Sequence, residues 1–183
     1  MLNCAPTAVA PYLPSAAMPW TKARAVHLHR RMVFGADVTA VNAALERAPL
    51  AVVDDLIATA KALPLRPVPD FATQTQPEYG LALLESTLQK DGFAREWIIA
   101  LQQDGLRGRM ELFWHNHFVT RFDVYESASY TYQYHKLLQE HALGNFRDFV
   151  RAIGLTPALL GVAVIVAEGK EFVEFPGVVL VRV

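Results

Sequence analysis

The chain has 183 residues, is 52% hydrophobic and only 19% charged, which excludes a disordered tail and predicts a buried core. Seventeen Lys and Arg stand against eighteen Asp and Glu, so no excess of cations is available to neutralise phosphates, and no nucleic-acid partner is expected. A single cysteine excludes an internal disulfide and a cysteine-built zinc site.

Residues 1–20 are small and apolar, but no basic residue precedes Lys22, and Pro6, Pro11, Pro14 and Pro19 interrupt any apolar run. They read as an extended arm over the surface, with Tyr12, Leu13 and Trp20 as anchors and Cys4 incidental. A cytoplasmic location is the default. No run of about eighteen uncharged apolar residues occurs, so no membrane span is expected.

The helical body follows. Thr21 precedes a helix carrying Ala25, Leu28 and Met32 on one side, with Gly35 placed for a left-handed cap. Asp37 is a natural N-cap for a second helix with Val38, Val41 and Leu45 on one face. Pro49 opens a third that stops at Pro64, and the proline-rich stretch from Pro64 to Pro77 reads as an irregular connector. A long helix, kinked near Gly92, is predicted from Glu78 to about Gln103, with Gly105 and Gly108 bracketing a turn.

Residues 109–122 form the most informative helix. Met110, Phe113, Trp114, His117, Phe118 and Arg121 share one stripe, which predicts a central element with Phe113 and Trp114 inaccessible and His117 facing inward. Glu126 to Ala142 places Tyr130, Tyr134, Leu137, Leu138 and His141 on another stripe, leaving His135 nearer solvent. Gly144 ends that helix, and Phe146, Phe149, Val150 and Ile153 face inward from the next. From Gly161 the pattern changes: eight valines in 23 residues read as one or two strands.

The reading is a mainly α protein: an irregular multi-helix bundle with a proline-rich N-terminal arm (1–20), a helical domain (21–160) and a short strand-like C-terminal tail (161–183). RMELFWHNHFVTRFDV, followed by YTYQYHKLLQEHALGNFRDFVRAIGLTPALL, and the earlier PYLPSAAMPW and AVHLHRRMVFGAD resemble the bacterial domain-of-unknown-function 1800 family over about residues 11–160. The resemblance implies a mostly helical fold in proteins that are often longer and often exported, and it implies no activity. Such proteins continue with further helices and an Asn-Glu-Asn-x-x-Arg-Glu stretch. The valine-rich tail departs from this pattern, which reads as a truncated or frame-shifted end whose uncovered apolar surface would favour self-association.

The six histidines fall in pairs at 27 and 29, 115 and 117, and 135 and 141. The contiguous His115-Asn116-His117 is not a nuclease motif, because successive helical residues point about 100° apart and do not chelate together. His117 and His141, from two inward stripes, are the candidate metal ligands, with Asp148 or Glu111 as carboxylate and zinc or iron as the metal. The bland alternative is two core histidines bonded to carbonyls or tyrosines. Glu111 and His115, at i and i+4, are the candidate catalytic pair, a carboxylate orienting a general base; the alternative is an ordinary intrahelical pair. Three arginine pairs (Arg30 and Arg31, Arg107 and Arg109, Arg147 and Arg151) suggest an anion patch or, more simply, solvated and paired charges. Tyr125 and Tyr132 are candidates for a stacking surface, and Asn116 and Asn145 read as caps or buried hydrogen bonds. The leading functional expectation is binding or assembly with a partner protein; the alternative is a histidine- or metal-dependent hydrolase or oxidoreductase centred on the FWHNHF helix.

Overall fold

A computed structural model describes residues 10–75 and 83–159. Among these are eight α-helices, one 3-10 turn and no strand, a mainly α fold. The helices are α1 (Lys22–Met32), α2 (Val38–Leu45), α3 (Pro49–Ala62), α4 (Leu83–Gln103), α5 (Leu106–His117), α6 (Phe122–Tyr125), α7 (Ala128–His141) and α8 (Phe146–Gly154), with the 3-10 turn at Asp70–Thr73. The strand-like tail and Cys4 lie outside the described residues. The chain divides into two compact units between Thr59 and Ala60, inside α3.

In the first unit α1 packs on α2 around Ala25, Val41, Ala44 and Val52. Asp37 caps α2 as expected, its carboxylate accepting from the Ala40 amide at 3.0 Å. Gly35 does not form the expected left-handed cap: α1 stops at Met32, Val33 turns extended, and the only described glycine with positive φ is Gly105. The arm is tied down by the Trp20 indole, which donates to the Ala44 carbonyl at 2.9 Å, and by Arg24, which donates to the Tyr12 hydroxyl and the Pro19 carbonyl. Leu13, expected as a third anchor, is exposed.

In the second unit α7 is the hub, touching α4, α5, α8 and the 3-10 turn. Its N-terminus is capped by Ser127, and Asn145 caps α8 by accepting from the Arg147 and Asp148 amides. One apolar core joins Tyr125, Tyr134, Leu138, Phe149, Ile153 and Ala158, with Trp114 and Phe118 packed against it. α4 runs unbroken through Gly92, where a kink was expected. Gly105 does make the turn, at φ 57°. Gly108 instead lies inside α5 for a packing reason: a Cβ there would sit 2.1 Å from the Leu101 carbonyl oxygen, so only glycine lets α5 approach α4 this closely.

The phase of α5 differs from the hydrophobic stripe. Arg107, Glu111, Trp114, His115 and Phe118 form the covered side, whereas Phe113, at 44% exposure, and His117 are exposed. The helix also ends at His117, well before Phe122. Phase is set by a buried charge network that apolar periodicity does not register.

Candidate functional site

Arg107, Glu111 and His115 recur at i, i+4 and i+8 along α5 and present one polar ridge to the interior, and Asp104, in the turn before α5, joins them through its ion pair with Arg107. Glu111 is fully buried and needs compensation. Arg66, from the connector, supplies it: one terminal nitrogen donates to both Glu111 oxygens at 2.8 Å and to Asp104 at 2.7 Å. Arg107 donates to Asp104 at 2.9 Å and to the Leu63 and Pro64 carbonyls, pinning the connector. Two cations thus face two anions. Burial raises the Glu111 pKa above its ordinary value, opposed by the Arg66 charge and by hydrogen bonds from Arg66 and the Trp97 indole, the latter at 3.2 Å.

The expected Glu111–His115 pair does not form, because the carboxylate is taken by Arg66 and Trp97. His115 Nδ1 lies 3.1 Å from the Tyr134 hydroxyl, which itself donates to the Phe118 carbonyl at 2.6 Å. With the only hydroxyl proton committed there, His115 Nδ1–H is the donor to Tyr134, which fixes its tautomer when neutral and leaves Nε2 bare. Burial lowers the His115 pKa. It lowers the His135 pKa further, helped by the His115 and Arg66 charges, and raises that of Tyr134. His135, expected near solvent, is buried between Phe93 at 5.4 Å, Trp97 at 4.4 Å and His115 at 5.3 Å. Tyr125 and Tyr132 are also buried, which removes the expected stacking surface.

The candidate metal ligands have separate surroundings. His117 is exposed, its Nδ1 donating to the Phe113 carbonyl at 2.8 Å, while His141 stacks on Phe149 at 5.4 Å. Among the described residues no three His, Cys, Asp or Glu are grouped to hold a metal ion. Of the arginine pairs, Arg107 is buried in its ion pairs rather than in an open patch, and Asn116 is exposed.

A cavity of about 60 Å³ opens beside the network, lined by Leu65, Arg66, Pro67, Val68, Phe93, Tyr132, His135, Lys136 and Gln139. Three of these carry a buried nitrogen without a hydrogen-bond partner: Arg66 Nε, His135 Nδ1 and Gln139 Nε2. The Gln139 amide orientation is set by its oxygen, which accepts from the Arg66 backbone N–H at 3.0 Å, so Nε2 is left as a free donor. None of Arg66, His135 or Gln139 was singled out from sequence as a site residue. The i and i+4 recurrence of His135 and Gln139 on α7 was the available signal, obscured by the tyrosines around it.

No helix among the described residues is long and apolar enough to cross a membrane. No curated protein and no solved structure matches the chain. The family model described as "Protein of unknown function (DUF1800)" matches residues 27–161, which takes in every helix from α2 to α8 and most of α1. The chain belongs to the DUF1800 family of proteins of unknown function.

Proposed function

We propose that the second unit binds a small carboxylate with a short apolar body in the cavity beside His135. The single observation that supports this is that three residues lining one cavity, Arg66, His135 and Gln139, each carry a buried nitrogen without a hydrogen-bond partner. A buried donor left unmade costs about 1–3 kcal/mol, so three at one place call for an acceptor-rich occupant. Arg66 and Gln139 offer N–H groups to the carboxylate, His135 adds a third donor in its Nδ1–H form, and Lys136 stands at the wall. Leu65, Pro67, Val68 and Phe93 suit a few carbons of hydrocarbon. Binding is the simpler reading, because this lining includes no Ser, Thr or Cys nucleophile and burial holds its imidazole, that of His135, well below the ordinary pKa.

Calorimetry with formate, acetate, propionate and phosphate tests the reading. Propionate or acetate is expected to bind with one-to-one stoichiometry, and His135→Phe with Gln139→Leu is expected to abolish it. A ligand at about a hundred times its Kd raises stability by about 2.7 kcal/mol, so a melting curve unmoved by every carboxylate overturns the proposal.

A second reading, assembly with another protein or with a second copy, is supported by α4. Leu84, Leu88, Ile98 and Ile99 are 56–69% exposed and share, with Arg95, one side of that helix, opposite the buried Trp97 and Leu101. Sedimentation of the wild type against Leu88→Glu with Ile99→Glu tests it: an oligomer lost in the variant supports assembly, and a wild-type monomer overturns self-association.

A further inference from the structure

The first unit contains a second, larger cavity of about 470 Å³, within the range of small-molecule sites. One face of α1 forms its floor. Arg24, His27, Leu28 and Arg31 recur at i, i+3, i+4 and i+7, so they stand in a row along that helix. Pro49, Leu50 and Val53 from the start of α3 form a second wall, and Tyr12 and Trp20 from the arm a third. The arm is fastened over this space by named bonds: Trp20 to the Ala44 carbonyl, Arg24 to Tyr12 and Pro19, and the Tyr12 hydroxyl to the Met18 carbonyl at 2.9 Å.

The hollow itself is almost wholly apolar, and the exposed His27 and Arg31 contribute their stems to its wall while their charged ends stand outside it. Six of its nine residues are apolar or aromatic, and the remaining three are Arg24, His27 and Arg31; no acidic residue is among them. Acidic side chains do occur in this unit, but the described ion pair there, Arg47 with Asp55, involves neither of these arginines. Leu50, one of the lining residues, keeps 43% of its surface exposed.

We infer that this hollow takes a medium-chain fatty acid, its hydrocarbon against Leu28, Leu50, Val53 and Trp20 and its carboxylate toward Arg31 and His27. A neutral hydrocarbon would leave the basic row unused, and a cationic amphiphile would meet like charge. Size agrees with a chain rather than a lone ion: against about 30 Å³ for one water, 470 Å³ accommodates on the order of ten carbons. This site is independent of the one proposed beside His135, being built wholly from residues 12–53.

The test is titration of the full chain with decanoate, decyltrimethylammonium and decane-1,2-diol, each below its aggregation threshold, and with vesicles of phosphatidylglycerol. Decanoate is expected to bind one to one, at least tenfold more tightly than the cation or the diol. Arg31→Gln is expected to weaken decanoate at least fivefold while leaving the melting temperature within error. Val53→Trp, which fills the hollow, is expected to abolish binding, and His135→Phe to leave it unchanged. Equal affinity for the three amphiphiles overturns the inference, as does decanoate binding that survives both Arg31→Gln and Val53→Trp. Binding to vesicles without binding to decanoate overturns it in favour of a membrane-surface role, and capture of an acidic apolar peptide with no decanoate binding overturns it in favour of a peptide groove.

Discussion

The indole of Trp97 lies 4.4 Å, centroid to centroid, from the imidazole of His135. The same indole is 5.1 Å from His115 and donates to Glu111, so one side chain joins both histidines to the charge network. Neither imidazole has a carboxylate bonded to it, and burial holds both pKa values below the ordinary value of 6.5. Their contribution to stability is therefore fully present above pH 6.5, where the unfolded chain leaves them neutral too. It is lost as pH falls below 6.5, because the unfolded state takes up protons that the native state refuses. Glu111 works in the opposite sense: its raised pKa favours the native state as the carboxylate protonates, which partly offsets the loss at the acid end.

Urea denaturation from pH 7.5 to pH 5 is accordingly expected to show stability falling with pH, by up to about 1.4 kcal/mol per pH unit for each histidine. Replacing both His115 and His135 with Gln is expected to flatten that slope whatever it does to absolute stability. A wild-type slope that persists in the double variant means that other groups govern acid sensitivity.

Arg66 compensates a carboxylate with no exposed surface. Arg66→Met leaves Glu111 with the Trp97 indole, and Arg107 Nε at 3.9 Å is too far for a hydrogen bond. Removing one partner of such a pair costs about 3–5 kcal/mol. The double variant Arg66→Met with Glu111→Leu is expected to recover most of that loss, because no buried charge then stands alone. A double-mutant cycle with no coupling between these positions contradicts the network described for α5.

Helix existence and most ends were legible in the sequence because they depend on neighbours a few residues away. Asp37 and Asn145 cap their helices through amides two or three residues on, and Pro49 and Pro64 bound α3 by chain chemistry alone. The phase of α5 was not legible in the same way. Burying Glu111 while exposing Phe113 depends on Arg66, 45 residues earlier in a connector without periodicity. The ridge Arg107, Glu111 and His115 was visible in the spacing, yet apolar counting gives weight to Phe113 and His117 and none to paired charges. The family resemblance was legible from contiguous residues, and it transfers a fold without a ligand.

Two glycines make opposite predictions. A methyl group at Gly108 would meet the Leu101 carbonyl oxygen at 2.1 Å, and backbone cannot swing aside as a side chain can. Gly108→Ala must separate α5 from α4, with a loss of about 1–3 kcal/mol and a change in the near-ultraviolet circular dichroism of Trp97. Gly92, exposed within α4 with nothing within 4 Å of a built Cβ, is a position where alanine fits. Gly92→Ala is expected to stabilise by about 0.4–1 kcal/mol, through the lower freedom of the unfolded chain. Equal melting temperatures for the two variants would remove the packing reason given for Gly108.

Adjacent aromatics on α5 separate packing from apolar character. Trp114 meets Phe146 and Phe149 at 5.4 Å and Phe118 at 6.0 Å, and its indole donates to the Ala142 carbonyl at 3.2 Å. The side chain thus joins α5 to the end of α7 and to α8. Trp114→Ala is expected to cost about 3 kcal/mol or more, from lost burial, a cavity among Phe118, Phe146 and Phe149, and an unpaired carbonyl. Phe113, one residue earlier, leans on Trp114 at 4.8 Å with 44% of its surface in solvent. Phe113→Ala removes little burial and opens no enclosed cavity, so a loss below about 1 kcal/mol is expected. Chemical denaturation of the two variants decides between the phases: a larger loss at Phe113 than at Trp114 returns α5 to the orientation its hydrophobic stripe predicts.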